Sequence, residues 1–241
     1  MTLNLKGKTA LVTGGSKGIG EAVARRLLAA GADVAICGRD AAGVEAAVSR
    51  LKADFENSPV KVEGKSADVS TERAVQALFE WLDAGLGGPD ILVNNAGVGI
   101  FKDLAALSPR EWESVLGTNL SGVYHCCHQA LPRMRQRGGG FIINVSSLAG
   151  KNPFAGGAAY NASKFGLCGM SEAVMLDHRY DGVRVSTILP GSVNTDFGRA
   201  GRADWKIAPE DVAETVAMIL AMPERTLISH VEIRPSKPPR K

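Results

Sequence analysis

The amino-acid sequence alternates short apolar runs with longer amphipathic segments along most of its length. The apolar runs, most of them rich in Val, Ile and Leu, occupy residues 8–13, 33–38, 59–67, 90–95, 140–147, 183–190 and 227–233. Such runs are typical of parallel strands buried on both faces, and apolar residues three or four positions apart are typical of helices packed on a sheet. The sequence therefore predicts an α/β fold in which helices cover both faces of a seven-stranded parallel sheet.

Two of the amphipathic segments give clear helix predictions. One helix is predicted over about 40–55. A second begins at Ser108, where Ser108, Pro109 and Glu111 match the pattern of an N-terminal capping box. The apolar periodicity continues from there, so we predict a single helix to about residue 136.

Composition limits the domain organisation and the partners. No linker or shift in composition divides the 241 residues, so we expect one domain over 1–233 and a flexible, basic, Pro-rich tail over 234–241. The net charge of +3 is too small to indicate a nucleic-acid partner. No apolar run is long enough for a signal peptide or a membrane span, so no membrane partner is expected either.

The cysteines and histidines indicate a reduced protein without a metal site. The four cysteines show no CxxC spacing, which favours a cytoplasmic location; they are Cys37, Cys126, Cys127 and Cys168. His125 and His128 flank two of them and resemble a set of metal ligands. However, adjacent residues of a helix point in different directions, so we predict packing in the core or an interface and no metal.

A glycine-rich turn, TGGSKGIG, lies directly between the first predicted strand and its helix. Glycines at 14, 18 and 20 permit a tight turn and allow a pyrophosphate to approach the helix N-terminus. The spacing differs from G-x-G-x-x-G, but the glycines would bring the backbone and the helix N-terminus to a pyrophosphate in the same way. The alternative is that the turn is purely structural. We therefore predict a Rossmann-type, doubly wound fold that binds a dinucleotide. Its phosphates are expected to contact Gly14, Ser16, Lys17, Gly18, Ile19 and Gly20.

The end of the second strand indicates which dinucleotide is bound. NAD sites usually carry a carboxylate there, but this strand ends in Cys37, Gly38 and Arg39, and Asp40 could simply cap the next helix. Arg39 can form a bidentate contact with a 2′-phosphate, and Ser16 and Lys17 can add to the same pocket. We therefore predict NADP(H) in preference to NAD(H), the alternative being that these basic residues are only solvated surface charges.

Tyr160 and Lys164 lie one helical turn apart in the segment AYNASKF. A phenol is a poor acid at neutral pH, with a reference pKa of about 10, and a cation on the same helical face stabilises the phenolate. The pair is therefore a candidate proton donor with its pKa lowered by the lysine.

Three motifs together resemble the short-chain dehydrogenase/reductase family in its compact, single-domain branch, and are similar to those of 3-oxoacyl-[acyl-carrier-protein] reductases. They are Tyr160-x-x-x-Lys164, Thr13-Gly-x-x-x-Gly-x-Gly20 and Asn94-Asn95-Ala96-Gly97, and the resemblance extends over about 6–233. It implies catalytic roles for Asn119, Ser147, Tyr160 and Lys164. Cofactor contacts are implied for Asp68 and Val69 at the adenine, for Asn95, Ala96 and Gly97 at the adenosine, for Tyr160 and Lys164, and for Pro190, Gly191, Val193 and Thr195 at the nicotinamide.

The resemblance implies hydride transfer between a nicotinamide and a carbonyl or hydroxyl group of a ketone, aldehyde or 3-oxoacyl thioester. Tyr160 would donate the proton and Ser147 a hydrogen bond to the carbonyl oxygen, Lys164 would tune Tyr160, and Asn119 would anchor a water. The alternatives are a catalytically silent dinucleotide-binding regulator, an NAD-dependent alcohol dehydrogenase, and lyase or dehalogenase chemistry.

Two segments depart from the usual pattern of that family. The chain ends in Val231-Glu232-Ile233-Arg234 where many relatives have Val-Asp-Gly-Gly, which makes the usual tetramer less secure, so we expect a homodimer or homotetramer. The segment between Gly191 and Pro209, the expected substrate lid, is short and holds little apolar surface, which predicts an open pocket for a small or tolerant substrate. Arg199, Arg202 and Lys206 in this lid could attract an anionic substrate or an acidic carrier protein, or could simply be solvated.

Overall fold

Seven parallel strands form one sheet at the centre of the computed structural model, which describes residues 3–197 and 203–239. The strands are β1 (Thr9–Thr13), β2 (Asp33–Gly38), β3 (Val62–Ser66), β4 (Ile91–Asn94), β5 (Gly140–Val145), β6 (Val183–Pro190) and β7 (His230–Ile233). Their spatial order is β3-β2-β1-β4-β5-β6-β7, and every neighbouring pair is parallel. The predicted Rossmann-like sheet is therefore confirmed.

Helices connect the strands and cover both faces of the sheet. They are α1 (Gly18–Ala29), α2 (Ala41–Asp54), α3 (Glu72–Leu86), α4 (Pro109–Leu116), α5 (Gly122–Gln136), α6 (Ala158–His178) and α7 (Pro209–Leu220). Short 3-10 turns lie at Leu104–Ala106, Leu148–Gly150 and Arg179–Asp181. The capping box predicted at α4 is present, because Ser108 Oγ accepts from the Glu111 amide and Glu111 accepts from the Ser108 amide.

The buried side chains form two clusters, one on each face of the sheet. Alternate residues of a strand point to opposite faces, so Val12 belongs to one cluster and Leu11 to the other. The first cluster lies beneath α1, α2 and α7, and the second lies beneath α3, α5 and α6. The central strands are buried on both faces by apolar side chains. The polar side chains of the site therefore lie at the ends of the strands.

The boundaries differ from the prediction at both edges of the sheet. β3 covers Val62–Ser66 rather than 59–67. β7 begins at His230 rather than at residue 227, because the Ile228 carbonyl accepts a hydrogen bond of 2.7 Å from the Ser186 hydroxyl and lies outside the regular ladder.

The helix predicted from Pro109 to about residue 136 is interrupted. A π-helical turn over Gly117–Ser121 separates α4 from α5. At its end, a side chain on Gly122 would approach Val69 to 2.9 Å, so the backbone packs closely against the loop after β3. Inserted π turns break the regular hydrogen-bond pattern and are frequent at functional sites.

The cysteines and histidines of α5 pack rather than form a ligand cluster. Cys126 and Cys127 are buried in the second core cluster, and His128 stacks on Tyr124 with ring centroids 5.7 Å apart. Within residues 3–197 and 203–239, no group of three or more His, Cys, Asp or Glu side chains could hold a metal ion. The same part of the chain contains no helix that is both long and apolar enough to cross a membrane.

The part of the predicted tail that the structure describes is irregular but makes contacts. Arg234 lies 2.7 Å from Glu232 in an ion pair, and Pro235 lies beside Gly191. The flexibility of the tail and the one-domain organisation stay predictions.

Phe79 gives a direct test of the second core cluster. It is fully buried on α3, with the Arg133 guanidinium 5.3 Å from its ring centroid. Because truncation removes a large apolar side chain and leaves a cavity, we expect Phe79→Ala to lower the free energy of unfolding by about 3–5 kcal/mol, measured by urea denaturation. Tyr180→Ala, at a side chain that is 94% exposed, is the control and should change it by less than about 0.5 kcal/mol.

Candidate active site

A cleft of about 1140 Å³ opens at the carboxyl ends of the strands. It lies above β1 and β4, where the strand order reverses and the chain leaves the sheet in opposite directions. In open parallel sheets this reversal leaves a crevice between the two connecting loops, which is the usual place for a ligand. The cleft runs from the glycine-rich turn after β1 to the start of α6.

The glycine-rich turn has the geometry of a phosphate cradle. Gly14 and Gly18 have φ values of +63° and +56°, a region that side chains rarely adopt. A side chain on Gly20 would overlap the Gly14 carbonyl oxygen, so Gly20 serves the close packing of α1 against the turn. No side chain caps the N-terminus of α1 at Lys17, which leaves its first amides facing the cleft for a pyrophosphate.

Asn95 ties this turn to the loop after β4. Its side-chain amide donates to the carbonyls of Thr13 at 3.0 Å and Gly14 at 3.1 Å. The Thr13 hydroxyl in turn accepts from the amides of Asn95 and Ala96, both at 3.0 Å. Asn95 lines the cleft, but its side chain acts mainly as a positioning group for the turn.

The adenosine end carries exposed basic side chains and an acid that is already engaged. Arg39 and Lys17 are exposed at the edge of the cleft, and within the described residues neither side chain forms an ion pair. Asp40 caps α2 by accepting from the Gly43 amide at 3.2 Å, as the alternative reading of the sequence proposed. The first carboxylate after the end of β2 is therefore part of a helix cap.

Arg50 was missed by sequence reasoning. It projects from α2 to the glycine-rich turn, where it contacts Glu21 at 2.8 and 3.1 Å and the Ser16 carbonyl at 3.4 Å. The hydrogen bond to Glu21 raises the pKa of Arg50. No local signal marks it, since only the packing of α2 beside α1 brings it to the cleft.

Asp68 and Val69 line the cleft beyond β3. One oxygen of Asp68 accepts from the amide and the hydroxyl of Ser70, at 3.0 and 2.8 Å. These bonds fix the carboxylate in the loop and use only one of its two oxygens, which is compatible with the contact expected to an adenine amino group.

Tyr160 and Ser147 meet at the opposite end of the cleft. Tyr160, in the first turn of α6, is 8% exposed, and the Ser147 side chain lies close enough to its hydroxyl to act on its pKa. Burial raises the pKa of Tyr160, and the nearby Ser147 hydroxyl opposes that rise. The neighbouring Ser146 is buried, with its hydroxyl 3.3 Å from the Lys164 carbonyl, which agrees with the choice of Ser147 over Ser146.

The net pKa of Tyr160 is raised by burial, not lowered as the spacing to Lys164 predicted. The Lys164 ammonium nitrogen lies 5.7 Å from the Tyr160 ring centroid and donates to the Val145 carbonyl at 2.9 Å. Burial lowers the pKa of Lys164 itself to about 8, against a weaker opposing effect of Cys168. Burial disfavours the charged form of both groups, and for Tyr160 it outweighs the opposing effect of Ser147.

Asn119 lies in the π turn and is fully buried. Its side chain exchanges hydrogen bonds with the Val98 amide and carbonyl at 2.8 and 2.9 Å, and donates to Ser163 Oγ at 3.1 Å. The side chain therefore joins three segments around the cleft, and the expected water-anchoring role stays a prediction.

The nicotinamide end is only partly as predicted. Thr195 lines the cleft, and its methyl group faces Gly18. Gly191 instead donates to the Ile233 carbonyl at 2.7 Å, and Val193 pairs with Ile207 and packs on the core. These contacts hold the base of the lid against the sheet, so Gly191 and Val193 are not part of the cleft wall. Arg199 and Arg202 lie outside the described residues, and Lys206 lies 5.8 Å from the Trp205 ring centroid.

The cleft wall therefore contains most of the predicted site residues. Those that line it are Gly14, Ser16, Lys17, Gly18, Ile19, Arg39, Asp68, Val69, Asn95, Ala96, Gly97, Tyr160, Lys164 and Thr195. The predicted residues that do not line it are Gly20, Asn119, Ser147, Pro190, Gly191 and Val193. Of this second set, Ser147 still contacts Tyr160, and Gly20 and Asn119 support the loops that form the wall.

Three phenylalanines surround Tyr160, and sequence reasoning missed all of them. We call Phe101, Phe154, Phe197 and Tyr160 the aromatic cluster. The Phe ring centroids lie 5.4, 6.5 and 5.9 Å from that of Tyr160, respectively. The three come from the loops after β4, β5 and β6, so no spacing in the sequence marks them as neighbours.

The pKa of Lys164 makes a prediction about stability. The folded value of about 8 is below the ordinary 10.5, so above pH 8 the unfolded chain holds this proton more firmly and stability rises with pH. We expect the unfolding free energy of the wild type, relative to Lys164→Met, to increase by about 2 kcal/mol between about pH 7 and 9.5. Lys6→Met, at an exposed lysine, is the control. A difference that is constant with pH would contradict the burial of an ionisable amine at this position.

Comparisons with known proteins agree with this geometry. The family model described as short chain dehydrogenase matches residues 8–205. Over 207 residues the chain is 37% identical to a 3beta-hydroxysteroid dehydrogenase of Mediterraneibacter gnavus, covering 86% of this chain and 73% of that protein. It is 39% identical over 194 residues to a D-threitol dehydrogenase of Mycolicibacterium smegmatis, covering 80% of this chain and 73% of that protein.

A solved structure shows the same fold over nearly the whole chain. The crystal structure of a metagenomic short-chain oxidoreductase in complex with NADP superposes with a TM-score of 0.85 at 37% identity, covering 97% of this chain and 99% of that one. The expected similarity to 3-oxoacyl-[acyl-carrier-protein] reductases in particular has no such support. The chain belongs to the short-chain dehydrogenase/reductase family, whose members here are oxidoreductases that act on CH–OH groups.

Proposed function

We propose that this protein is an NADP(H)-dependent oxidoreductase that interconverts a carbonyl group and a secondary or primary alcohol, with Tyr160 as the proton donor in the reduction. The supporting observation is the placement of Tyr160. It is buried, next to the Ser147 side chain and one turn from Lys164, at the end of a cleft that begins at the glycine-rich turn.

The chain's own residues account for the proton and the charge. Bound NADPH would supply a hydride, that is, two electrons and one hydrogen, to the carbonyl carbon. As the carbonyl π electrons move onto oxygen, Ser147 donates a hydrogen bond to that oxygen and Tyr160 transfers its phenolic proton to it. The phenolate that remains regains a proton from solvent, and Lys164, protonated at pH 7, stabilises it meanwhile by its positive charge.

The raised pKa of Tyr160 suits it to donate a proton during reduction. A buried phenol retains its proton at neutral pH, which suits a group that must donate to a developing alkoxide. In the reverse direction the phenolate must form first, so alcohol oxidation should be favoured by more alkaline conditions than ketone reduction.

Three alternative functions differ from this proposal in what they require of the site. A catalytically silent dinucleotide-binding regulator would bind NADPH without turnover, yet Tyr160, Lys164 and Ser147 are all in place. Lyase or dehalogenase chemistry would need a remodelled glycine-rich turn, and this turn retains Gly14 and Gly18 in the left-handed region. An NAD-dependent dehydrogenase differs only in the nucleotide.

The cytoplasmic location stays a prediction from the sequence. Assembly into a homodimer or homotetramer is also a proposal, supported by exposed apolar side chains on α5 and α6. Tyr124 is 52% exposed and Phe165 is 44% exposed. Both side chains would be covered if these helices face a second copy of the chain.

Tyr160→Phe tests the proton donor. The change removes one hydroxyl from a buried ring, so we expect kcat to fall by at least about 100-fold, while the Kd for NADPH changes by less than about threefold. The assay is NADPH consumption with ketones, aldehydes, diketones and 3-oxoacyl thioesters. Tyr180→Phe makes the same chemical change at a fully accessible site and is the control. Near-normal turnover by Tyr160→Phe would remove Tyr160 from the mechanism.

Arg39→Ala and Lys17→Ala test the preference for NADP(H). Each removes a cation that we assign to the 2′-phosphate, so each should raise the KM for NADPH by about 10-fold or more, with little change for NADH. Arg225→Ala, in the loop before β7 and so at the opposite edge of the sheet, is the matched control. Equal losses with both nucleotides would indicate that Arg39 and Lys17 do not read the 2′-phosphate.

A further inference from the structure

The aromatic cluster lies at the Tyr160 end of the cleft, which Tyr160 and Phe197 line directly. Phe101 meets the Tyr160 ring edge-on, with an interplanar angle of 76°, and lies 5.7 Å from Phe154. Phe197 contacts the same tyrosine from the lid. Three of the chain's seven phenylalanines are therefore collected around one catalytic hydroxyl.

Two glycines seat these rings directly on the backbone. A side chain on Gly99 would approach Phe101 to 2.7 Å and Phe197 to 3.0 Å, so both rings lie over the Gly99 backbone. A side chain on Gly157 would approach Phe154 to 2.5 Å. The rings are thus held by close contact with main-chain atoms, and the surface they present is defined by the fold rather than by chance rotamers.

The residues that the structure describes leave two rings of the cluster partly exposed. Phe154 is 45% exposed and Phe197 is 46% exposed, although both contact a tyrosine that is almost fully buried. Apolar surface left in water next to a reactive group is stabilised when an apolar ligand covers it. The ring faces therefore favour a hydrocarbon body attached to the reacting carbon.

Two described lysines that neighbour Phe101 and Phe154 in the sequence are engaged in ion pairs. Lys102 forms an ion pair with Glu111, and Lys151 pairs with Glu232 at 2.6 Å. The exposed cations Lys17 and Arg39 lie at the other end of the cleft, where we assign them to the cofactor. This arrangement favours an uncharged substrate over one attached to a phosphate-bearing or acidic carrier.

We propose that the substrate is a neutral ketone, or the corresponding secondary alcohol, with a hydrocarbon ring system beside the reacting carbon. Its oxygen is placed between Tyr160 and Ser147, and its rings lie against Phe101, Phe154 and Phe197. This inference rests on the proposed function above, and of the small or tolerant substrate expected from the short lid it favours the tolerant alternative. Of the three phenylalanines in the cluster, Phe197 lies in the lid, and the other two come from loops that no spacing in the sequence connects.

A pair of neutral probes separates the ring preference from the chemistry. 2-Tetralone carries two fused rings, and 2,3-butanedione is a small, polar diketone. We expect wild-type kcat/KM to favour 2-tetralone by about tenfold or more, and Phe154→Ala and Phe197→Ala each to lower it for 2-tetralone by about tenfold, mainly through KM. For 2,3-butanedione the same variants should stay within about threefold. Phe154→Leu should retain most of the preference, and Tyr180→Ala should retain all of it.

The outcomes distinguish this inference from the proposed function. Tyr160-dependent reduction of 2,3-butanedione without a preference for 2-tetralone, or equal losses on both probes, would overturn the ring assignment and leave the reductase standing. Turnover of neither probe would count against the proposed function. In that event calorimetric titration of 2-tetralone into the protein with NADP+ decides the ring assignment, because binding that Phe154→Ala weakens supports it and the absence of binding refutes it.

Discussion

The hydrogen bonds between Thr13 and Asn95 hold together the two loops on which the site depends. β1 and β4 are neighbours in the sheet, but the chain leaves them toward opposite sides, so nothing in the ladder connects their loops. The Thr13 hydroxyl and the Asn95 side-chain amide supply that connection, with bonds of 3.0 and 3.1 Å to backbone groups of both loops. The phosphate cradle is therefore fixed relative to the loop that leads to Phe101 and, through Val98, to Asn119.

Much of the fold and the cofactor half of the site follow from local sequence signals. Strand runs and the glycine-rich turn are contiguous, so their periodicity and spacing carry the information, and Gly14 and Gly18 adopt the positive φ that the turn required. The helix cap formed by Asp40 could be predicted from the sequence, because an acidic residue directly before a helix can accept a hydrogen bond from the first turn of that helix. The π turn at Gly117–Ser121 could not be predicted from the sequence, because the apolar periodicity of the helix continues through it. The turn lies against Val69 and Val98, which are distant in the sequence.

The substrate half was the part that sequence reasoning missed. Phe101, Phe154 and Phe197 meet only because three different strands end side by side, and Arg50 reaches the cleft only because α2 packs beside α1. The tuning of Tyr160 was also misjudged, for a different reason. A four-residue spacing predicts that Lys164 lies near the phenol, but the balance between charge and burial is set by the surrounding packing, and here burial dominates for both groups.

The origin of the three phenylalanines in separate loops has an evolutionary consequence. Each ring follows a different strand, while the nucleotide turn and the bonds of Thr13 to Asn95 lie elsewhere. A single substitution can thus reshape one wall of the substrate pocket without disturbing the core or the phosphate cradle. Such a scaffold can change its alcohol in small, independent steps while keeping one way of handling hydride and proton, which agrees with relatives of similar identity being named for alcohols as different as a steroid and a sugar alcohol.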